Sequence, residues 1–326
     1  MVITPLRLRH AASLAEHASF RRAAATLRIS QPALTKSVQA LETALGVKLL
    51  ERRREGVVPT EFGRLVIEYA RGLAHAETEL HRQVQLLAGL ETGSLDVAFG
   101  PLPGAMSVYP AAGALMARHP NLRVSLRSMS WREVVQAVID KRVDLGIAEV
   151  SATAHAATLQ IEPVGQHRVH FICRAGHPIL REGAVGLPQL LQYPWATTRL
   201  PSRMSSALPA DTGRAGYIDT LTGDFVPAID VWSPHELAVL IADSDAIALG
   251  PLSLVEQELD SRALAMVPTR NLEFRGGYGF IHLKSRPVSP STRAFMDEIR
   301  AHEKLVARQE ARLERLFRRS GQRQRD

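Results

Sequence analysis

The chain has 326 residues, 45% of them hydrophobic, and a formal net charge of +7 at pH 7. This length can form two or three compact units with buried cores. No run of residues approaches the roughly 18 to 20 uninterrupted apolar positions of a membrane span, and the opening MVITPLRLRH lacks the apolar core of a signal peptide. The single cysteine, Cys173, cannot form an internal disulfide, so we expect a soluble cytoplasmic protein with no membrane partner.

The basic excess lies at the two ends of the chain. Residues 1–62 carry 10 Lys and Arg against 5 Asp and Glu, residues 63–303 carry 22 against 25, and residues 304–326 carry 8 against 3. Cationic side chains gain affinity for nucleic acids by releasing counterions from phosphates. A basic first segment therefore fits a local polyanion contact, and it equally fits an ordinary solvated surface.

The first 45 residues predict three successive helices. Thr4-Pro5 opens the first helix, Ser19 caps a second over Phe20–Leu27, and Ser30 caps a third with Pro32 in its first turn. The apolar positions of the third helix step by four, three and four, which places one face in a core: Leu34, Val38, Leu41 and Leu45. Its opposite face is polar, as in a helix that enters a major groove and as in any surface helix.

A short basic hairpin is predicted to follow the third helix. Gly46 ends the helix, and residues 47–60 read as two short strands around a turn that contains Arg52, Arg53 and Arg54. Arginines at the tip of such a wing can reach the phosphate backbone or the minor groove beside a recognition helix.

Residues 19–63, SFRRAAATLRISQPALTKSVQALETALGVKLLERRREGVVPTEFG, resemble the DNA-binding signature of LysR-type transcriptional regulators. Two positions depart from that signature, since Leu50 replaces its usual Phe and Thr35 its usual Ser. Leu still fills the core, and Thr keeps the hydroxyl group. The resemblance implies a winged helix-turn-helix over residues 1–62. The DNA contacts that it implies are Ser30, Gln31, Pro32, Thr35, Lys36, Gln39, Arg52, Arg53, Arg54 and Thr60.

Residues 60–90 predict one long linker helix. Its apolar positions follow a near-heptad spacing with one stutter: Phe62, Val66, Tyr69, Leu73, Ala76, Leu80, Val84 and Leu87. Such a seam forms between two helices, or on a helix packed against its own core. We favour a dimer, since helix-turn-helix proteins bind two half-sites with matching two-fold symmetry.

From residue 93 the pattern changes to alternating strands and helices. Strands are predicted at Leu95–Phe99, Leu122–Leu126, Leu145–Ala148, Val169–Cys173, Phe225–Val231 and Ile247–Leu249, and helices at Ala105–Arg118, Trp131–Asp140 and Pro234–Ala242. Repeated βαβ units predict a parallel sheet with helices on both faces and ligands at the carboxyl ends of the strands. The resemblance implies two lobes similar to periplasmic binding proteins, lobe 1 at about 93–163 and 270–303 and lobe 2 at about 164–269, with an effector between them. The expected fold is multidomain: an all-α winged helix-turn-helix domain, a long linker helix and a two-lobed α/β effector-binding domain over residues 93–303.

Two capping serines suggest where the effector binds. Ser130 follows the second strand and Ser233 precedes Pro234, so two helix N-termini can face a carboxylate or a polar metabolite. Gly100-Pro101-Leu102-Pro103 follows the first strand, where many members of the family that this chain resembles carry a hydroxyl residue, so this wall of the site would be more apolar than theirs. Arg199 can add a polar contact from the second lobe. The candidate effector residues are Pro101, Leu102, Ser130, Trp131, Thr197, Thr198 and Ser233, each of which also suits an ordinary cap or turn.

The sequence also contains candidates for other classes of site. The group His167, His170, Cys173 and His177 invites a metal site, but strand alternation sends His170 and Cys173 to opposite faces, so we predict no metal and no cofactor. The sequence contains no P-loop, GxGxxG, GxSxG or HExxH motif, which disfavours the enzyme alternative. A DNA-binding architectural protein that senses no ligand is the third alternative.

Residues 304–326 form a basic C-terminal tail. A helix that opens at Ser289-Pro290 continues past Leu305, after which we expect a disordered, solvated tail; a phosphate contact or oligomer packing is the alternative. The complete prediction is a dimer, or a tetramer, that binds double-stranded DNA with an imperfect inverted repeat. Its effector would be a small organic acid or a similar metabolite, and RNA polymerase would be a further partner.

Overall fold

The computed structural model describes residues 3–53, 56–88, 93–150, 157–270 and 272–323. The chain forms two compact units, Met1–Leu87 and Ala88–Asp326. None of the helices in the described ranges has both the length and the apolar character that crossing a membrane requires.

The first unit is a helical bundle with a hairpin. In its described residues the elements are α1 (Pro5–His17), α2 (Phe20–Leu27), α3 (Gln31–Leu45), β1 (Leu50–Arg53), β2 (Gly56–Pro59) and α4 (Glu61–Ala88). The predicted caps are confirmed, since the side chains of Thr4, Ser19 and Ser30 each accept a backbone N–H three residues later. Small alanines on α2 let α1 and α3 approach, and the shared core contains Leu14, Ala23, Leu34 and Val38.

The second unit is an α/β domain. Its described elements are β3 (Ser94–Phe99), α5 (Pro101–Pro103), a π-helical segment (Gly104–Val108), α6 (Tyr109–Arg118), β4 (Arg123–Ser128), α7 (Trp131–Ile139), β5 (Leu145–Ala148), β6 (Leu159–Arg174), a 3₁₀ turn (Pro178–Glu182), α8 (Leu187–Leu190), β7 (Trp195–Thr197), α9 (Ser202–Ser205), β8 (Gly216–Ile218), β9 (Phe225–Pro227), β10 (Ile229–Asp230), a 3₁₀ turn (Pro234–Glu236), α10 (Leu237–Ala242), β11 (Ile247–Gly250), a 3₁₀ turn (Leu252–Val255), α11 (Glu256–Asp260), β12 (Leu264–Met266), β13 (Phe274–Leu283) and α12 (Pro290–Arg323).

Two long strands carry the sheet from one lobe to the other. The strand order is β10-β7-β11-β6-β13-β5-β3-β4, and β12 also pairs with β6. The strands β6 and β13 run antiparallel from the Leu159–Leu283 pair to the Val169–Phe274 pair, with a register shift between Tyr278 and Gly279. Lobe 1 therefore lies around β3, β4 and β5, and lobe 2 around β7, β10 and β11.

The sheet is mixed, so the prediction of a parallel sheet was incomplete. The βαβ units do pair in parallel, as in β3 with β4 and β5, and β7 with β10 and β11. The two strands that connect the lobes run against them, because β13 pairs antiparallel with β5 and β11 pairs antiparallel with β6. Local periodicity predicts a strand, but the direction of its neighbour depends on a distant part of the chain.

The last helix, α12, packs on both lobes. Phe295, Met296 and Ile299 belong to the core of lobe 1, whereas Leu313 belongs to a core cluster of lobe 2. The predicted continuation of the helix past Leu305 is confirmed, whereas the prediction of a disordered tail after it is wrong as far as residue 323. Its basic composition predicted a solvated segment, although Val306 and Leu313 are buried.

A buried polar cluster attaches α12 to the two crossing strands. The Glu303 carboxylate accepts a hydrogen bond from the Tyr278 hydroxyl at 2.5 Å and another from Ser107. Its second oxygen lies 3.2 Å from Nε2 of His167 on β6. Gly165 lies beneath these groups, and a Cβ there would come within 2.6 Å of the carboxylate. Burial and the neighbouring Glu303 both raise the pKa of Tyr278, so the phenol is the donor in this cluster.

Candidate DNA interface and effector cavity

The outer face of α3 is polar and accessible. Gln31, Pro32, Lys36 and Gln39 are exposed, and Thr35 is half-buried with its hydroxyl donating to the carbonyl of Gln31 at 3.0 Å. Pro32 occupies the first turn, where its missing N–H leaves no partner unsatisfied. The amide and ammonium groups on this face are able to bond base edges and phosphates.

Glu42 joins the recognition helix to the wing. Its carboxylate accepts hydrogen bonds from Nζ of Lys48 at 2.8 Å and from the backbone N–H of Leu49 at 2.9 Å and of Leu50 at 3.4 Å. Burial opposes ionisation, but these three donors outweigh it and lower the pKa of Glu42. Sequence reasoning assigned Glu42 no role, although an acidic residue beside the buried Leu41 was a signal.

The hairpin predicted after α3 is present. Its strands pair antiparallel from Leu50 with Pro59 to Arg53 with Gly56. The Arg53 guanidinium is exposed and lies 3.1 Å from the Glu51 carboxylate. The Arg52 side chain and all of Arg54 lie outside the described residues, so their predicted DNA contacts stay predictions.

Thr60 has an internal role at the start of α4. Its hydroxyl donates to the carbonyl of Lys48 at 2.7 Å and accepts the N–H of Gly63 at 3.0 Å, so it caps this helix. Gly63 is needed because a Cβ there would lie 1.9 Å from the carbonyl oxygen of Leu49. A DNA contact by Thr60 would have to share a hydroxyl that already has these two partners.

Helix α4 presents an apolar stripe that its own unit leaves exposed. Ile67 and Ala70 are buried against the bundle, whereas Tyr69 is 73% exposed. Further exposed members of the stripe are Phe62, Leu73, Leu80 and Val84. The Leu87 side chain lies outside the described residues.

A cavity of about 220 Å³ lies between the two lobes. We call it the interlobe cavity, and both lobes contribute to its wall, with Leu102 and Trp131 from lobe 1 and Met204 and Trp232 from lobe 2. Six of the seven predicted effector residues line it: Pro101, Leu102, Ser130, Trp131, Thr197 and Thr198. Ser233 is not part of the wall, although Trp232 and Pro234 on either side of it are.

Two family models match the chain in the order of its two units. Residues 6–64 match the model of bacterial regulatory helix-turn-helix proteins of the lysR family, and residues 88–304 match the LysR substrate binding domain. The chain belongs to the LysR family. LysR-type proteins are transcriptional regulators with a DNA-binding helix-turn-helix and a domain that binds a small-molecule effector, so this LysR-type chain is a regulator and not an enzyme.

Curated relatives are similar over most of their length. The chain is 34% identical over 294 residues to the SDS degradation transcriptional activation protein of a Pseudomonas species, covering 88% of this chain and 92% of that relative. It is 30% identical over 308 residues to the transcriptional regulator GbpR of Azospirillum brasilense, covering 91% and 86%.

Solved structures of LysR-type regulators have the same fold. Full-length CbnR in complex with its target DNA has a TM-score of 0.58 at 20% identity, over 92% of this chain and all of CbnR. Full-length OxyR from Pseudomonas aeruginosa has a TM-score of 0.58 at 18% identity, over 94% and 96%. The family match ends at residue 304, so the part of α12 that packs on lobe 2 lies beyond it.

The two predicted helix caps differ in the structure of this LysR-type regulator. Ser130 caps α7 in a capping box with Glu133, as the sequence suggested, but the Glu133 carboxylate binds the Ser130 N–H at 2.9 Å and its hydroxyl at 2.7 Å. The predicted cap at Ser233 is wrong, because its side chain makes no capping bond and only a three-residue 3₁₀ turn follows it.

Two ion pairs between the lobes were missed from the sequence. In the first pair, Arg132 of lobe 1 lies 2.9 Å from Asp224 of lobe 2, and the Arg132 guanidinium stacks 4.0 Å above the Trp131 ring. In the second pair, Arg203 of lobe 2 donates two hydrogen bonds to the Glu149 carboxylate of lobe 1, at 3.0 and 2.7 Å. No motif predicts them, because each pair joins residues more than 50 positions apart.

The histidines and the cysteine in and after β6 have different surroundings, and His170 lies 3.7 Å from Glu314 of α12. Cys173 is fully buried in the core of lobe 2, where burial raises its pKa to about 12 and keeps the thiol protonated. His177 begins a 3₁₀ turn by accepting the Ile179 N–H at 3.1 Å, and His167 lies in the Glu303 cluster. Across the described part of the chain, no group of three or more His, Cys, Asp or Glu side chains is placed to hold a metal ion.

Proposed function

We propose that this regulator binds double-stranded DNA with an imperfect inverted repeat, as a dimer of this chain that inserts one α3 into each half-site. The exposed polar face of α3 is the observation that carries the proposal. Ser30, Gln31, Pro32, Thr35, Lys36 and Gln39 would contact bases and the adjacent phosphates, and Arg52, Arg53 and Arg54 would contact the backbone or the minor groove. Thr60 would add a phosphate contact at the base of the wing.

The dimer would form through α4. Its exposed stripe has the spacing of a coiled-coil seam, and the burial of Tyr69 and Leu80 against a second copy would remove apolar surface from water. A dimer of dimers is the larger assembly compatible with the same contacts. RNA polymerase is the further partner that we propose for a cytoplasmic regulator of transcription.

The effector would bind in the interlobe cavity and change the affinity for DNA. It can do so only if it binds one arrangement of the lobes more tightly than another. The family resemblance predicts an organic acid or a similar metabolite, and the cavity has the size for a small molecule of either kind. The Pseudomonas relative is named for SDS degradation, which supports testing amphiphiles as well as small acids.

The test is a gel shift and footprint on the DNA directly upstream of the protein's own gene, with and without a panel of small acids and amphiphiles. We expect protection of an inverted repeat and a change in the footprint with one class of ligand. The Lys36→Ala variant should lose about 1 to 3 kcal/mol of specific binding energy if Lys36 reads a base. Lys304→Ala, which removes an exposed lysine of the other unit, is the matched control.

A folded, dimeric protein that forms no specific complex even at low salt would contradict the proposal. If Lys36→Ala and Lys304→Ala bind DNA equally well and with the same salt dependence, Lys36 is not a DNA contact.

A further inference from the structure

The arginines on the wall of the interlobe cavity are already neutralised. Arg132 is bonded to Asp224 at 2.9 Å, and Arg199 is bonded to Asp230 at 2.8 Å. Among the described wall residues, these are the only two cationic side chains, against the acidic Glu149, Asp224 and Asp230. An anionic ligand would therefore meet no guanidinium that lacks a carboxylate partner.

The helix N-terminus at the cavity already has a carboxylate of its own chain beside it. The N-terminus of a helix attracts anions because its first N–H groups have no intrahelical partner. At α7 the Glu133 side chain folds back onto the cap, where its carboxylate accepts the N–H and the hydroxyl of Ser130, so a negative charge already lies at this N-terminus. These two bonds lower the pKa of Glu133, so its negative charge persists beside the cavity. A second carboxylate would be repelled there.

The rest of the wall is mainly apolar and comes from both lobes. Its apolar members include Leu102, Trp131, Val169, Met204, Trp232 and Leu254. The hydroxyl of Thr197, which could bind a ligand, donates instead to the carbonyl of Leu249 at 2.9 Å. An anion that enters this cavity loses its hydration and meets only arginines that already have carboxylate partners, whereas an apolar body gains by leaving water.

We propose that the effector is an uncharged, predominantly apolar small molecule, such as an alcohol, ketone or ester on an alkyl or aryl body. This inference rests on the proposed function and narrows the class of effector from organic acids and similar metabolites to the uncharged ones. The molecule contacts apolar side chains of both lobes, so its binding depends on their relative position. The two interlobe ion pairs stay intact when it binds.

The first experiment compares ligands that share a body and differ only in charge. The full-length dimer is titrated calorimetrically with 1-octanol, octanoate and octyl sulfate, and with benzyl alcohol and benzoate. We expect at least one alcohol to bind, at least tenfold more tightly than the anions with the same body, and with a Kd that does not change with salt. Equal or tighter binding of an anion overturns the inference, and so does a failure of both alcohols to bind.

The second experiment removes the carboxylate partner of an arginine on the cavity wall. Asp224→Asn removes the partner of Arg132, and we expect the affinity for octanoate to rise at least tenfold while that for 1-octanol changes much less. Asp243→Asn, which alters an exposed aspartate of the same lobe away from the cavity, is the matched control and should change neither affinity. If Asp224→Asn does not fold, Asp230→Asn removes the partner of Arg199, the other arginine of the wall, and the same result is expected. An unchanged octanoate affinity in a folded variant would mean that the ion pairs do not exclude anions.

The two proposals fail in different assays. A protein that shifts its upstream DNA but binds only anions retains the proposed function and refutes the uncharged effector. A folded protein that forms no specific DNA complex, with or without ligand, refutes the proposed function whatever the calorimetry finds.

Discussion

Leu313 is the best place to test whether the end of α12 is a part of lobe 2. Its side chain is fully buried, although it lies in a segment with 8 basic residues against 3 acidic ones. It packs in a cluster that includes Val255, Leu259 and Leu264. Removal of most of this side chain by Leu313→Ala should therefore leave a cavity in the core of lobe 2.

The expected cost follows from the burial. A fully buried Leu→Ala change costs about 2 to 5 kcal/mol, the larger values applying where the surroundings cannot collapse into the space. Leu313 is enclosed by side chains of α11, β12 and a 3₁₀ turn, which are held by the sheet, so we expect about 3 kcal/mol. Leu316→Ala is the matched control because Leu316 lies on the same helix and is 47% exposed. It should cost less than about 1 kcal/mol.

Urea unfolding measured by tryptophan fluorescence is the assay. The chain has three tryptophans, and Trp195, which is fully buried in lobe 2, should contribute the largest change in emission when that lobe unfolds. The midpoint of this transition should fall for Leu313→Ala with little change in slope, since the exposed surface changes little. If the two leucine variants unfold at the same midpoint, the segment after residue 304 does not stabilise lobe 2, and the packing seen at Leu313 is not formed in solution.

Two further predictions concern the first unit. Tyr69→Glu puts a charge in the middle of the exposed stripe of α4, so sedimentation at micromolar concentration should find a larger monomer fraction than for the natural chain. The control Glu68→Gln, at the neighbouring position, should stay dimeric. If Tyr69→Glu is also dimeric, this stripe is not the interface. Glu42→Gln should lower the free energy of unfolding of this unit at pH 7, because it removes the charged acceptor of hydrogen bonds from Lys48 and from the backbone N–H groups of Leu49 and Leu50. Because the pKa of Glu42 is lowered from 4.5 in the folded state, its stabilising effect is present above that value and is lost as the pH falls through the folded pKa. Unfolding by urea at pH 7 and at pH 4 should therefore find a smaller difference between Glu42→Gln and the natural chain at pH 4, and a constant difference would remove ionised Glu42 as the cause.

The DNA-binding unit was largely predictable because its signals are local. Ser19 and Ser30 cap helices within three residues, and the buried face of α3 follows from a spacing that any single helix must obey. The wing could be predicted for the same reason, since a hairpin pairs residues that are close in the sequence. The role of Glu42 was not predicted, because its carboxylate binds backbone N–H groups that come close to it only when the wing is folded.

The effector domain was predictable only in part. The residues near the ends of β3, β4 and β7 were expected at the ligand site, and six of the seven do line the interlobe cavity. The charge of that site was not predictable: Arg132 and Asp224 are 92 residues apart, and neither position has a pattern that pairs it with the other. The same holds for the carboxylate of Glu303, whose partners come from β6, β13 and the π-helical segment.

The sequence by itself determined the family, the helix-turn-helix with its wing, the linker helix and the alternation of strands and helices, because all of these depend on contacts between near neighbours in the chain. Only the tertiary structure decided that β6 and β13 run antiparallel to their neighbours, that α12 continues to Arg323 and buries Leu313 in lobe 2, and that the cavity arginines are neutralised. Those features depend on contacts between distant segments, and the free energy of such a contact is set by burial and by partners that a local pattern does not contain.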